Sequence, residues 1–141
     1  MAFDGDAVLF SGASEKIFKE QGLEAFLEFE KKNAKKPLPD GPFAKLLRML
    51  HFVQKQYQLL GEDAPIRTAL VTARNAPSHE RVIRTLRAWG VNIDETFFMG
   101  GVAKTKILQA FKPHIFFDDQ LIHCQPVADL IPTGNVPTND Y

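Results

Sequence analysis

Each short apolar run in this chain stops at a residue that carries chemistry, and a segment of helical period follows it. Residues 2–3 lead into Asp4 and Asp6, and 66–71 into Thr72; 96–99 lead into Gly100, Gly101 and Lys104, and 114–117 into Asp118 and Asp119. Adjacent parallel strands need a crossover of about a dozen residues or more, usually a helix. Such alternation therefore predicts an α/β fold around a central, mostly parallel sheet. The intervening segments fit. Residues 15–32 carry Ile17, Phe18, Leu23, Phe26, Leu27 and Phe29 but are interrupted by Gly22, so two short helices are expected, N-capped by Ser11 or Ser14 and ending in lysines. Pro42 suits the first turn of a helix bearing Leu46, Leu47, Leu50, Val53 and Tyr57, stopped by Gly61. Pro77 opens another helix with Val82, Ile83, Leu86 and Trp89 on one stripe and Gly90 at its end. Helices over 104–111 and 121–130 and a final short strand after Ile131 complete the expectation.

At 141 residues and 45% hydrophobic, the chain is long enough for one domain with a real core and needs no disulfide, which its single cysteine, Cys124, could not supply internally. No run approaches the 18 or so apolar residues that span a bilayer, and no signal-peptide pattern opens the chain. A reducing, cytoplasmic setting is the expectation, with no membrane partner. Seventeen Lys and Arg balance seventeen Asp and Glu, which argues against a nucleic-acid polymer as ligand.

In an open parallel sheet the carboxyl ends of the strands line the ligand crevice, so Asp4, Asp6, Thr72, Asp118 and Asp119 should converge there. Four carboxylates in one crevice repel one another unless a cation neutralises them, and hard oxygen ligands suit Mg²⁺. A carboxylate beside Mg²⁺ can attack phosphorus. A second, two residues on, can protonate the leaving oxygen and then activate water, which is the division of work expected of Asp4 and Asp6. The phosphoryl group also needs a hydroxyl donor and a fixed cation, for which Thr72 and Lys104 are the candidates, with Lys106 an alternative from the same helical turn.

Plainer readings compete. An EF-hand fails, because Val8 stands where a third oxygen ligand belongs. Asp118 and Asp119 could simply cap the next helix, and Thr72 could be a core or capping residue. His51, His79, His114 and His123 lack metal-ligand spacing and read as structural or surface residues, and Cys124 as a small buried side chain. The phenylalanines read as core, with Phe18, Phe26 and Phe29 as an alternative nucleobase slot. Lys31, Lys32, Lys35 and Lys36 read as a solvated helix end.

Taken in order, Asp4-x-Asp6, Thr72, Lys104 and Asp118-Asp119 resemble the four motifs of the haloacid dehalogenase superfamily of phosphohydrolases. The runs FDGDAVLFS (3–11), EQGLEAFLEFE (20–30), PIRTALVTARNAPSHERVIRTLRAWGV (65–91) and HIFFDDQ (114–120) are similar to the C-terminal half of the cytosolic 5′-nucleotidase type I family. The resemblance covers nearly the whole chain. It implies a three-layer Rossmann-like fold over residues 1–141 as a single domain, with 11–61 as a small helical cap insertion. It further implies Mg²⁺-dependent hydrolysis of nucleoside 5′-monophosphates, AMP-like substrates above all, through an aspartyl-phosphate. Asp4 would be nucleophile and metal ligand, and Asp6 general acid/base and metal ligand through its carbonyl. Thr72 and Lys104 would hold the phosphate, Asp118 and Asp119 would complete the metal shell, and Arg74 and Asn75 would approach the substrate. Gly12 stands where an acidic residue usually follows the Phe-Ser pair, and 136–139 differ from the expected aromatic-containing ending. Longer members carry a further N-terminal half, so the competing expectation is a catalytic-half module needing that half, another chain or a second copy of itself. Transfer to an acceptor nucleoside is a variant of hydrolysis.

Overall fold

Ala2 and Phe3, the whole of β1, pair in parallel on both sides, Phe3 standing level with Leu70 of one neighbour and Phe117 of the other. The structure is a computed structural model describing residues 1–138. After β1 come α1 (Ala13–Lys32), α2 (Ala44–Leu59), β2 (Ala69–Thr72), α3 (His79–Trp89), β3 (Glu95–Phe98), α4 (Thr105–Phe111), β4 (Phe116–Asp118), α5 (Leu121–Ala128) and β5 (Thr133–Asn135). The strand order is β3-β2-β1-β4-β5 and every pairing is parallel. The connections therefore leave β1 in opposite directions, and a crevice opens beyond its carboxyl end.

Alternation along the strands builds the layers. Ala2, Ala69, Val71 and Phe116 face one way and pack with Leu108 of α4 and Val127 of α5. Phe3 and Leu70 face the other and pack with Leu47 and Leu50 of α2 and Val82 and Leu86 of α3. Two apolar clusters on opposite faces of one sheet give the helix–sheet–helix sandwich that the alternation predicts. Phe3 stacks on Phe117 with ring centroids 5.8 Å apart, and Phe43 meets Phe117 edge-on at 4.7 Å. Among the described residues no helix is long and apolar enough to cross a membrane.

Several boundaries differ from the expectation for identifiable reasons. The run expected as strand from Ile66 enters the sheet only at Ala69, because the Thr68 N–H is taken by the Asp94 carboxylate at 2.7 Å. The strand expected over 114–117 lies at Phe116–Asp118, so Asp118 itself belongs to the sheet, pairing with Asn135 of the expected final strand. Neither Ser11 nor Ser14 caps α1: Gly12 occupies that position, and the Ser14 hydroxyl donates instead to Glu30 at 2.6 Å. Gly22 breaks α1 as expected, adopting φ 87°, where a side chain would be strained. The departure noted at 136–139 runs at Asn139 beyond the described residues.

After β1 the chain stays buried through Phe10 in a tight loop, in which the Val8, Leu9 and Phe10 N–H groups all donate to the Gly5 carbonyl. That loop is braced by Gly41 N–H on the Leu9 carbonyl and Phe43 N–H on the Val8 carbonyl, both at 2.8 Å. A Cβ on Gly41 would lie 2.3 Å from the Phe10 carbonyl oxygen. Gly41→Ala is expected to destabilise the fold by about 1–3 kcal/mol, read by urea denaturation; an unchanged midpoint would show that the loop is not held by this approach.

Candidate active site

Asp4 directly follows β1, Asp118 ends β4, and parallel register brings them together, the Asp4 N–H donating to the Phe117 carbonyl at 2.8 Å. Lys104, immediately before α4, reaches between them: Nζ donates to Asp4 Oδ1 at 2.8 Å and to Asp118 Oδ2 at 2.7 Å. All three side chains are almost wholly buried. Burial pushes Asp4 well above the usual carboxylate range; the Lys104 ammonium opposes this, and the charges of Asp118 and Asp6 add to it. Burial also works against the Lys104 charge, but Asp4 and Asp118 outweigh it and raise its pKa. Asp118 is held below its ordinary value despite burial, by His123, by Lys104 and by the Gln120 N–H on Oδ1 at 2.9 Å.

Asp119, half-buried, completes a group in which Asp4, Asp118 and Asp119 each offer one carboxylate oxygen, all within 4.8 Å of one another. Three carboxylates converge there with one ammonium, Lys104, bonded to two of them. An all-oxygen donor set with surplus negative charge fits a hard divalent cation. The Asp6 carboxylate points elsewhere. Its two oxygens accept from Nε and Nη2 of Arg74, each at 2.7 Å. Arg74 follows β2, and its backbone N–H donates to Thr72 Oγ1 at 3.2 Å. Of the two candidate lysines, Lys104 is the one in the cluster; Lys106 is exposed.

Asp4 and Asp6 open onto a cavity of about 540 Å³, whereas Lys104, Asp118 and Asp119 lie behind its lining. Asp4, Asp6, Thr72, Arg74, Gln120 and His123 form the polar end, Asn75, Gly100 and Gly101 one side, and Phe18, Leu23, Phe26 and Leu27 of α1 an apolar wall. Phe18 and Phe26 meet edge-on at 6.0 Å, whereas Phe29 lies outside the cavity against Arg81. Arg74 lines the cavity, but its guanidinium is directed to Asp6, Glu30 and the Ser78 carbonyl rather than into open space. Its pKa is raised, burial being overcome by Asp6 and then Glu30.

Three contributors escaped the reading of the sequence. His123 places Nδ1 3.1 Å from Asp118 Oδ2, although its spacing suggested no site. Gln120 donates from its side chain to Glu15 at 3.0 Å and from its backbone to Asp118. Glu30, in a charged helix end, is buried against Arg74 and Arg81. Partial signals existed: Glu30 and Gln120 close two of the family-like runs, and His123 lies one helical turn beyond the Asp118-Asp119 pair.

A model of the family described as 5′-nucleotidase matches residues 1–140. Cytosolic 5′-nucleotidase 1B of Homo sapiens is 48% identical over 89% of the chain, which spans 21% of that protein's length. No solved structure matches the chain. The chain belongs to the 5′-nucleotidase family.

Lys104→Met removes the ammonium from between two buried carboxylates and is expected to cost about 3–5 kcal/mol of stability at pH 7. The deficit should shrink at pH 5. Without the ammonium that opposes burial, the Asp4 pKa in the folded variant rises further above its unfolded value than in the wild type, so the variant takes up more protons on folding and gains more from a lower pH. Urea denaturation at the two pH values checks this, and equal deficits would contradict it.

Proposed function

We propose that this member of the 5′-nucleotidase family hydrolyses nucleoside 5′-monophosphates, AMP-like substrates among them, with Asp4 as nucleophile. The observation that supports the reading best is the Asp4–Lys104–Asp118 bridge, whose Asp4 opens onto a cavity lined by polar groups from the strand ends and by an aromatic wall from α1. A nucleotide has the same polarity. Its phosphate would lie at the polar end, and its base against Phe18 and Phe26.

Asp4, Asp118 and Asp119, with the Asp6 carbonyl, would hold Mg²⁺. When bound there, the metal offsets the charge of the phosphate and carboxylates and helps orient the phosphoryl group. Asp4 attacks phosphorus in line and forms an aspartyl-phosphate as the ester P–O bond breaks. Asp6, protonated at that stage and so keeping at most one of its two Arg74 bonds, gives its proton to the departing nucleoside oxygen; as a carboxylate bonded to Arg74 through both oxygens it then takes one from the water that cleaves the phosphoaspartate. Thr72, through its hydroxyl, and Lys104, through its ammonium, hold the equatorial oxygens where charge spreads in the transition state. Asn75, beside Gly100, faces the substrate from the side of the cavity. In this reading α1 is the part of the 11–61 insertion that works as a cap, because α2 contributes Leu47 and Leu50 to the core beneath the sheet. A cytoplasmic setting accords with the cytosolic relative.

Phosphate release from AMP is expected to require Mg²⁺ and to stop with EDTA. Asp4→Asn should fold normally and lose at least about a thousandfold in turnover. Mg²⁺ should raise the melting temperature of the wild type but not of Asp118→Asn, because it binds only the assembled folded cluster. Turnover that survives both EDTA and Asp4→Asn would overturn the reading.

A further inference from the structure

Glu30 is a buried carboxylate that the hydrolytic steps above do not use. Its side chain is 1% exposed and accepts from three donors: Ser14 Oγ at 2.6 Å, Arg74 Nη1 at 2.7 Å and Arg81 Nη1 at 3.0 Å. Arg74 thus lies between two carboxylates, with Nε and Nη2 engaging both oxygens of Asp6 and Nη1 engaging Glu30. A guanidinium is planar and its donors have fixed directions, so tethering one edge sets the plane of the other. Glu30, with the Ser78 carbonyl 3.2 Å from the same Nη1, thus sets the plane in which Arg74 meets the Asp6 carboxylate.

The same helix also carries the aromatic wall. Phe26 lies one helical turn before Glu30, and the Arg74 guanidinium stands 5.3 Å from its ring centroid. Ser14, on the first part of α1, bonds to Glu30 on the part beyond Gly22, so Glu30 ties the two halves of the broken helix together as well. A ligand seated against Phe18 and Phe26 would touch the helix that carries Glu30.

We propose that Glu30 is a positioning residue for hydrolysis: acting through Arg74, it holds the Asp6 carboxylate in the orientation needed to take the proton from the water that cleaves the phosphoaspartate, and makes that orientation depend on the seating of α1. This rests on the hydrolytic reading above. The proton inventory is unchanged: Asp6 gives one proton as the ester bond breaks and recovers one from water as the Asp4–phosphorus linkage breaks. Glu30 and Arg74 exchange none. Because Glu30 reaches the reacting atoms only through Arg74 and Asp6, its effect on the chemical step should vanish when Asp6 cannot carry a proton.

The test is a double-mutant cycle on the full chain, with AMP and Mg²⁺, using single-turnover rates to reach slow variants. Glu30→Gln alone should lower the rate about a hundredfold, as expected for a misplaced reacting group, and leave KM nearly unchanged. In an Asp6→Asn background the same change should cost nothing further. Ser14→Ala removes only one hydroxyl bond to Glu30 and should show the same pattern at smaller amplitude, which covers failure of Glu30→Gln to fold. Equal losses in both backgrounds would make Glu30 a merely structural residue and overturn the proposal. So would a Glu30→Gln protein with wild-type turnover. A wild type inactive on AMP would instead refute the hydrolytic reading, and this inference with it.

Discussion

The Lys104 ammonium lets two carboxylates share the dry carboxyl edge of the sheet, where each is bonded to it within 2.8 Å. Burying an unpaired carboxylate costs several kcal/mol, and burying two side by side costs more. The compensating cation has to come from a third element, and the Gly100-Gly101 turn and the start of α4 deliver it. The arrangement joins β1, β4 and the β3–α4 connection around one point, and these are the segments that meet where the strand order reverses. Even so the balance is incomplete, since Asp119 adds a third carboxylate to the group. This surplus charge suits the cluster to a hard cation, while burial first, and then the charges of Asp118 and Asp6, displace Asp4 so far above the ordinary carboxylate range.

Asp6 is handled differently, although only Gly5 separates it from Asp4. Its charge is met by a guanidinium, not an ammonium, and from the opposite side, by Arg74 after β2. The two cations have different properties suited to the two places. An ammonium is a point charge that can face several oxygens in turn, whereas a guanidinium fork fixes one carboxylate in one plane. In the proposed reaction a nucleophile and metal ligand needs the first, and a carboxylate that must take a proton from water along a defined line benefits from the second. Glu30 then connects this second pair to α1, so the polar floor and the apolar wall of the cavity belong to one hydrogen-bonded structure.

Much of this was legible in the sequence because strand ends announce themselves. Asp4, Thr72 and Asp118 each follow an apolar run, and parallel register carries such positions to one edge without any knowledge of side-chain contacts. Spacing could not separate Lys104 from Lys106, since both lie in the same turn; the fold does so by exposing one and burying the other. Glu30 as an interior residue was illegible for a different reason. It sits between Glu28 and Lys31 in what reads as a solvated helix end, and only its meeting with Arg74, 44 residues away, makes it interior. Ser14 was misassigned as a cap for the same reason, because its true partner is that buried carboxylate. Phe18 and Phe26 read as core by composition, but the break at Gly22 turns this part of the chain over the cavity instead.

The account stands on Asp4 forming a covalent bond to phosphorus in the cluster that Lys104 assembles. The most direct measurement is acid quenching of the enzyme during turnover of a nucleoside 5′-monophosphate, followed by peptide mass spectrometry of the Asp4-containing segment. The account predicts a phosphoryl adduct on Asp4 that rises and decays within the turnover. Phosphate released with no adduct on Asp4 at any time, or with the adduct on another residue, would contradict it.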